Sequence, residues 1–344
     1  MALIFKITTE FQSIRTNQKV ELLTEDFIKR NTDTMERKIL VATDTSVYST
    51  NEINYLARLF TDLEDIHLDL FCVVHTSAMA AGSGWVDELD LMAAISPETR
   101  KRLNQANHYM KEAVSQLGRR GVAPERISTD VKLTGGSIHG EIIHKARKGL
   151  YDALVIGRRG IGKLEEFIMG SVSTSLLEKC HDVPRWIIDG HVDSRKFLVP
   201  VDGSPYALKA VDHLAFILKG NPYAEVTLFN SEAMFANQGA TTTKQCHTIW
   251  GKDWCDLHMN REDSLFHAPE QILIEQGFPL ERIYRLTTNK GLYPSRQIVR
   301  QALIDDFGTI VMGRRGEDSI KGMFKGVSSQ VIAMAVDVAI WVVG

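Results

Sequence analysis

Short apolar runs alternate with longer amphipathic stretches along the chain, and this alternation predicts strands separated by helices. The first apolar run, at residues 38–43, predicts a buried strand. From residue 48 to residue 60 the apolar positions recur three and four apart, which is the spacing of one helix face. The chain therefore opens its first folded unit with a strand that leads directly into a helix.

The same order of elements continues through the first half of the chain. Further strands are predicted at residues 67–75, 127–133, 153–156 and 183–188. Helices are predicted at residues 98–118 and 141–148, and another opens at Gly170. Strands that alternate with helices of this length indicate right-handed βαβ units and a parallel sheet.

The second half of the chain repeats the first. Residues 195–204 (RKFLVPVDGS) match residues 37–46 (RKILVATDTS), and residues 309–316 (TIVMGRRG) match residues 153–160 (ALVIGRRG). The apolar run around Trp341 repeats the run around Trp186. Such self-similarity indicates a duplicated domain, and 344 residues is the length of about two domains. We predict an N-terminal extension at residues 1–35 and domains at residues 36–190 and 191–344.

Composition excludes several classes of partner. The formal net charge is −3, with 24% charged residues, which gives no electrostatic case for binding nucleic acid or an anionic membrane. No apolar run approaches the ~20 residues that a membrane span needs. The four cysteines are irregularly spaced, which suits a reducing compartment better than a disulfide framework. We therefore expect a cytoplasmic protein with neither nucleic-acid nor membrane partners.

Two glycine-rich segments follow the predicted strand at residues 153–156. Gly157-Arg158-Arg159-Gly160 forms a tight turn, and after nine further residues Gly170-Ser171-Val172-Ser173 opens a helix. Glycines let backbone N–H groups approach an anion, and a helix N-terminus attracts one. For the first segment alone, a strand–turn–helix connection with capping serines is the better explanation. The second segment at a fixed distance favours a phosphate site.

This spacing, Gly-x-x-Gly, nine residues and Gly-Ser, resembles the ATP-binding signature of the universal stress protein family. The resemblance extends over both repeats, from Arg37 to Gly344. It implies two tandem α/β domains, each a five-stranded parallel sheet sandwiched by helices, of the adenine nucleotide alpha hydrolase-like type. It also implies that the last strands, around Trp186 and Trp341, pair about a pseudo-twofold axis, so that the chain is an intramolecular pseudo-dimer. Further homodimerisation stays open.

The resemblance implies ATP as the ligand, with Mg²⁺ left open and no resident metal site. It assigns cofactor-binding positions in the first domain to Ala42, Asp44, Thr76, Gly136, Gly157, Arg158, Arg159, Gly160, Ile161, Gly162, Lys163, Gly170, Ser171, Val172 and Ser173. For Asp44, at the end of a strand, capping of the next helix is an equally good explanation. Of each arginine pair, we expect at most one side chain to face the ligand.

The second domain departs from the signature, because Val327 stands where the first domain has Ser171. Its corresponding positions are Asp202, Gly313, Gly316, Gly326 and Ser328. Whether this domain binds nucleotide stays open.

A second cluster of candidate ligands lies at residues 246–267. Cys246, His247, Cys255, His258 and His267 invite a zinc interpretation, but only Cys255 and His258 have a familiar spacing. We expect a loop that packs on the domain interface instead.

Three functions follow from these observations. We favour an ATP-binding regulatory module of the stress response, with at most weak hydrolysis, because the first motif is intact. An interaction or scaffold protein that keeps the fold without nucleotide is the alternative. An ATP-using enzyme is disfavoured, since the sequence has no nucleophile elbow, metal-binding helix motif or Walker A lysine.

Overall fold

The structure is a computed structural model that describes residues 36–46, 48–77, 95–158, 169–233, 243–289, 291–314 and 326–344. Residues Arg37–Gly344 form one compact unit. The predicted extension at residues 1–35 lies outside the described residues. Among the described helices, none has both the length and the hydrophobicity that crossing a bilayer requires.

The part of the chain that the structure describes contains ten strands. They are β1 (Arg37–Thr43), β2 (Ile66–His75), β3 (Ile127–Thr134), β4 (Ala153–Gly157), β5 (Arg185–Ile188), β6 (Lys196–Pro200), β7 (Glu225–Ser231), β8 (Ile283–Thr288), β9 (Thr309–Gly313) and β10 (Ala339–Val343).

Helices connect these strands. They are α1 (Ser49–Phe60), α2 (Pro97–Arg119), α3 (Ile138–Lys148), α4 (Ser171–Lys179), α5 (Pro205–Leu218), α6 (Thr243–Trp250), α7 (Lys252–His258), α8 (Ser264–Glu275), α9 (Pro294–Ile304) and α10 (Val327–Met334). Short 3₁₀ turns at Pro124–Arg126 and Leu280–Arg282 lead into β3 and β8.

The strands form one continuous sheet in the order β3-β2-β1-β4-β5-β10-β9-β6-β7-β8. Within each half, five strands run parallel in the same order. The halves join where β5 and β10 pair antiparallel, with Trp186 opposite Trp341. The predicted fold, with a five-stranded parallel sheet in each half and the last strands paired, is confirmed.

Apolar side chains fill both faces of the sheet, as expected for a parallel sheet that is covered by helices on either side. One cluster packs around the tryptophan pair, under α1, α2, α5 and α8. The other packs on the opposite face, under α3, α4, α9 and α10. The two indole rings stack at the join with their centroids 3.9 Å apart and their planes 3° from parallel. The join is thus part of the core.

The predicted loop at residues 246–267 is wrong, because the chain there forms the helices α6 and α7 and the start of α8. Cys246 and Cys255 are buried, and Trp250 and Trp254 pack against the core. Apolar residues spaced along short helices explain this segment better than an irregular connection does. In the part of the chain that the structure describes, no three His, Cys, Asp or Glu side chains group as metal ligands.

Candidate functional site

The strand order places the predicted ligand residues of each half at one edge of the sheet. In the first half, β1 lies between β2 and β4, and Ala42 is in register with Ile156. The chain leaves β1 and β4 toward opposite sides, so that a crevice is expected at their carboxyl ends, where open α/β sheets bind ligands. Asp44 directly follows β1, and Gly157 is the last residue of β4.

Asp44 forms a tight turn between β1 and α1. Its Oδ1 accepts hydrogen bonds from the Ser46 amide (3.0 Å) and the Ser49 hydroxyl (2.9 Å). Thr45 adopts the left-handed conformation at φ 66°, which costs free energy for a residue with a Cβ and is found where the surroundings enforce it. The turn therefore holds Asp44 in a fixed orientation at the strand end. Asp44 does not cap α1, which has no side-chain cap hydrogen bond at its start, and its ligand role stays a prediction.

The glycine–serine segment gives α4 an open start. Gly170 is the N-cap residue and makes no side-chain cap, so the first N–H groups of α4 lack intrahelical partners. The Gly170 amide donates to the Arg158 carbonyl (2.9 Å), which ties this helix start to the end of β4. Ser171 is exposed, whereas Ser173 is buried and donates its hydroxyl to the Gly157 carbonyl (2.7 Å).

The remaining predicted residues of the first half lie along the same edge. Ala42 is partly buried near the end of β1, and Val172 is partly buried in the first turn of α4. Thr76 is buried, and its amide donates to the Thr134 carbonyl (2.8 Å). Gly136 is exposed, and its amide donates to Thr134 Oγ1 (3.0 Å). Five predicted positions lie outside the described residues: Arg159, Gly160, Ile161, Gly162 and Lys163.

Arg158 has a structural position that differs from the predicted phosphate contact. Its side chain is 2% exposed and donates to the carbonyls of Ala333 (3.1 Å) and Ala335, at the end of α10. Asp189, also buried, lies 3.6 Å from the guanidinium. A side chain committed to these buried partners is not placed to meet a phosphate, and we withdraw Arg158 from the proposed ligand contacts.

The second half repeats the site with changes. Asp202 Oδ1 accepts from the Ser204 amide (2.9 Å), and Gly203 takes the left-handed conformation of Thr45 at φ 75°. Gly313 is a packing glycine, because a Cβ there would lie 2.0 Å from the Tyr206 carbonyl oxygen. Gly326 is the N-cap residue of α10, which has no side-chain cap hydrogen bond. The next residue, Val327, is 42% exposed.

At the start of α10, the exposed Val327 takes the place of the exposed hydroxyl that Ser171 contributes to α4. Ser328, one residue later, is partly buried in the first turn of α10. Gly316 lies outside the described residues.

Sequence reasoning missed a buried acid beneath Asp44. Glu52 is 1% exposed on α1, and burial, with a smaller contribution from Asp44, holds the pKa of its carboxyl well above the ordinary value. Its position three and four residues before Tyr55 and Leu56, both buried, would have placed it on the apolar helix face. Burial, and secondarily Asp44, also raises the pKa of the neighbouring Cys72 thiol to about 12.

Comparison with known proteins identifies the first half. Residues 35–183 match the model of the universal stress protein family. A universal stress protein from Archaeoglobus fulgidus DSM 4304 is 19% identical, with a TM-score of 0.59, over 90% of this chain and 98% of that chain. At this identity the likeness shows a shared fold across both halves.

Two further solved structures are similar over different lengths. A putative universal stress protein from Pseudomonas aeruginosa UCBPP-PA14 is 13% identical over 90% of this chain and 94% of its own, with a TM-score of 0.49. A universal stress protein in complex with cAMP is 15% identical over 45% of this chain and 97% of its own, with a TM-score of 0.33. The chain thus contains, at residues 35–183, a segment that matches the universal stress protein family.

Proposed function

We propose that the first half of the chain binds an adenine nucleotide, with ATP as the primary candidate, and acts as a nucleotide-dependent regulatory module. The phosphates lie at the open start of α4, around Gly170 and Ser171. The nucleoside end lies toward Asp44. Titrations with and without Mg²⁺ decide whether this ion accompanies the phosphates.

The observation that carries this proposal is the helix start at Gly170. It is tied to the end of β4 by the bond from the Gly170 amide to the Arg158 carbonyl and makes no side-chain cap. Unpartnered N–H groups and the positive end of the helix dipole favour an anion there. Asp44, fixed by Ser46 and Ser49 at the end of the adjacent strand, supplies an acceptor at the other end of the crevice.

The boundaries of the two functional units remain those predicted, residues 36–190 and 191–344. The second half is the weaker nucleotide candidate, since Val327 puts an exposed apolar side chain at its helix start. We assign it the role of an intramolecular partner that completes the sheet. Binding without dedicated turnover is proposed, because the acid at the site, Asp44, already accepts two hydrogen bonds that hold a turn.

Thermal unfolding with and without nucleotide tests the proposal. A ligand that binds the folded chain raises Tm in proportion to the logarithm of its concentration. We expect ATP to raise the Tm of the wild type, and Asp44→Ala to reduce that rise. The equivalent change in the other half, Asp202→Ala, serves as the control and should keep it. Titrations with and without Mg²⁺, and with cAMP, define the nucleotide class.

A wild type whose Tm responds to none of these nucleotides would contradict the proposal. The interaction module without nucleotide would then be the better account.

A further inference from the structure

Three buried polar atoms without a hydrogen-bond partner among the described residues lie around the Asp44 turn. They are Ser46 Oγ, Glu52 Oε2 and Tyr109 OH. The Tyr109 hydroxyl, on α2, lies beside the hydroxyls of Thr43 and Ser49 without closing a hydrogen bond to either. Unpartnered buried polar atoms are costly and rare, so a group of them at one strand end calls for an explanation.

The internal repeat shows that the fold does not need this polar group. The alignment of DTSVYSTNEINYLA (44–57) with DGSPYALKAVDHLA (202–215) makes Ala207 the counterpart of Ser49 and Ala210 the counterpart of Glu52. Ala207 and Ala210 are both buried. The second half therefore builds the same strand–turn–helix unit on apolar side chains.

The residue beneath the turn changes in the same way. Tyr109 and Leu265 hold equivalent positions in the two halves, because each lies eight residues before a leucine near the end of its helix. The Leu117 carbonyl accepts from the Val122 amide, and the Leu273 carbonyl accepts in the same way from the Phe278 amide. Leu265 also lies next to Gly203, since a Cβ on that glycine would be 3.9 Å from its Cδ1. An apolar side chain thus fills the place of Tyr109.

The first half also gives up a helix cap that the second half keeps. Ser204 Oγ accepts from the Ala207 amide (3.2 Å) and caps α5. The equivalent Ser46 makes no such bond, and α1 has no side-chain cap. A side-chain cap stabilises the start of a helix. Local rules broken in one repeat and kept in the other are expected at functional sites.

Burial first, and the neighbouring charges second, decide the protonation state of Glu52. Among the residues that the structure describes, the ionisable groups that face it are Asp44 at the end of β1 and Tyr109 on α2. Of the other strands packed against α1, β4 carries no ionisable side chain, and β5 carries Arg185, which contacts Cys180 and His181 instead. A buried carboxyl that faces an acid and has no cation beside it is stable only in its neutral form.

We propose that Glu52 is held as a neutral carboxylic acid beneath Asp44 and positions Asp44 for ligand binding, so that ligand affinity in the first half follows the proton on Glu52. This inference rests on the proposed nucleotide site. Ionisation of Glu52 would place a second negative charge beneath Asp44 and disturb the turn that Ser46 and Ser49 hold. Glu52 is a positioning residue, and its effect reaches the ligand through Asp44.

Calorimetric titration with ATP over a series of pH values tests the proposal. The variants are Glu52→Gln, which stays neutral, Glu52→Ala, which copies Ala210, and Asp212→Asn, the control. Asp212 is a carboxyl of α5 whose pKa burial also raises, but it lies outside the Asp44 turn. Ratios of wild-type to variant affinity remove the titration of ATP itself.

We expect Glu52→Gln to match the wild type in acid and to bind more tightly as pH rises, with a ratio that grows by up to about tenfold per pH unit. Glu52→Ala should bind more weakly than Glu52→Gln at every pH, since it leaves unfilled the buried space that the Glu52 side chain occupies beside the turn. Asp212→Asn should follow the wild type throughout. Identical pH profiles for the wild type and Glu52→Gln would overturn the proposal.

Thermal unfolding of the same proteins without ligand separates this inference from the nucleotide proposal. Because the folded chain holds the Glu52 proton above its ordinary pKa of 4.5, the wild type should lose stability relative to Glu52→Gln as pH rises from that value. If ATP binds the wild type at no pH, the nucleotide proposal and the ligand linkage fail. The ligand-free unfolding curves then test the neutral carboxyl by themselves. Tm–pH curves of the wild type and Glu52→Gln that run parallel would overturn it.

Discussion

At the scale of single residues, the two halves meet through a pair of matched but chemically different contacts. The Trp186 indole Nε1 donates to His213 Nε2 on α5 (3.1 Å), and the Trp341 indole Nε1 donates to Tyr55 OH on α1 (2.9 Å). His213 and Tyr55 hold equivalent positions in the repeat. Each tryptophan is therefore satisfied by the helix of the opposite half, as a buried indole requires.

His213 makes this contact sensitive to pH. Complete burial lowers the pKa of its imidazole from 6.5 to about 3, so the ring is a neutral acceptor. Since the folded pKa lies below the unfolded one, the stability that it contributes is present above pH 6.5 and is lost as pH falls toward 3. The full loss is about 5 kcal/mol.

We predict that His213→Leu destabilises the protein by about 1–3 kcal/mol at neutral pH, because the Trp186 N–H is left without an acceptor. In acid the difference should shrink and reverse, since leucine has no proton to bind. Urea unfolding of both proteins at several pH values measures this. A stability difference that stays constant between pH 7 and pH 4 would show that His213 is not held neutral.

At the scale of elements, carbonyls at the ends of α4 and α10 accept hydrogen bonds from arginines of the opposite half. Arg158 donates to carbonyls at the end of α10, and Arg314 donates to the Leu177 carbonyl near the end of α4 (3.2 Å). A cation at a helix C-terminus satisfies free carbonyls and opposes the helix dipole. The arginine pairs of the repeat thus contribute one residue each to the join between the halves, the buried Arg158 and the partly buried Arg314.

Replacement of Arg158 should therefore affect stability and not nucleotide binding. We predict that Arg158→Met costs about 3–5 kcal/mol, because it leaves the buried Asp189 without its cation. Adding Asp189→Asn should recover part of this loss. Denaturant unfolding gives the free energies, and ATP titration of the folded variant gives the affinity. A stable Arg158→Met variant with much weaker ATP binding would restore the phosphate role predicted from the sequence.

The sequence predicted elements better than it predicted side-chain partners. Periodicity and the repeat placed every strand of the first half within a few residues, since a buried strand or helix face has a local apolar pattern. The direction of Arg158 depended on α10, which lies far along the chain, so no local pattern could indicate it. The helices at residues 243–275 were missed because Trp, Cys and His there suggested ligands, although their spacing is that of short packed helices.

Prediction of the candidate site from the sequence had the same limit. The spacing of Gly157, Gly170 and Ser171 was visible in the sequence because backbone geometry demands glycine and a helix start at fixed distances. Glu52 was overlooked, although its position on the apolar face of α1 was a usable signal. The role that we propose for it depends on α2, which places Tyr109 beside the same turn.

At the scale of the whole molecule, the chain is a single sheet made from two copies of one motif. The stacked Trp186 and Trp341 lie at its centre, with Phe60 and Phe197 against the pair. Such a join removes the exposed edge that β5 and β10 would otherwise present. Once joined, the copies of the motif can diverge in sequence. Polar side chains surround the turn at Asp44, whereas apolar side chains surround the turn at Asp202.

The central claim is that only the first copy is a working nucleotide site, and the stoichiometry of ATP binding tests it most directly. Calorimetric titration would compare the wild type with the double variant Gly170→Val/Ser171→Val, which blocks the start of α4. The matched control, Gly326→Val, makes the equivalent change at the start of α10. Circular dichroism confirms that each variant is folded.

We predict about one ATP per chain for the wild type and for Gly326→Val, and loss of binding in the double variant. Two equivalents would show that Val327 is tolerated and that the ranking of the halves is wrong. No binding by the wild type, or binding that survives the double variant and disappears in Gly326→Val, would contradict the account.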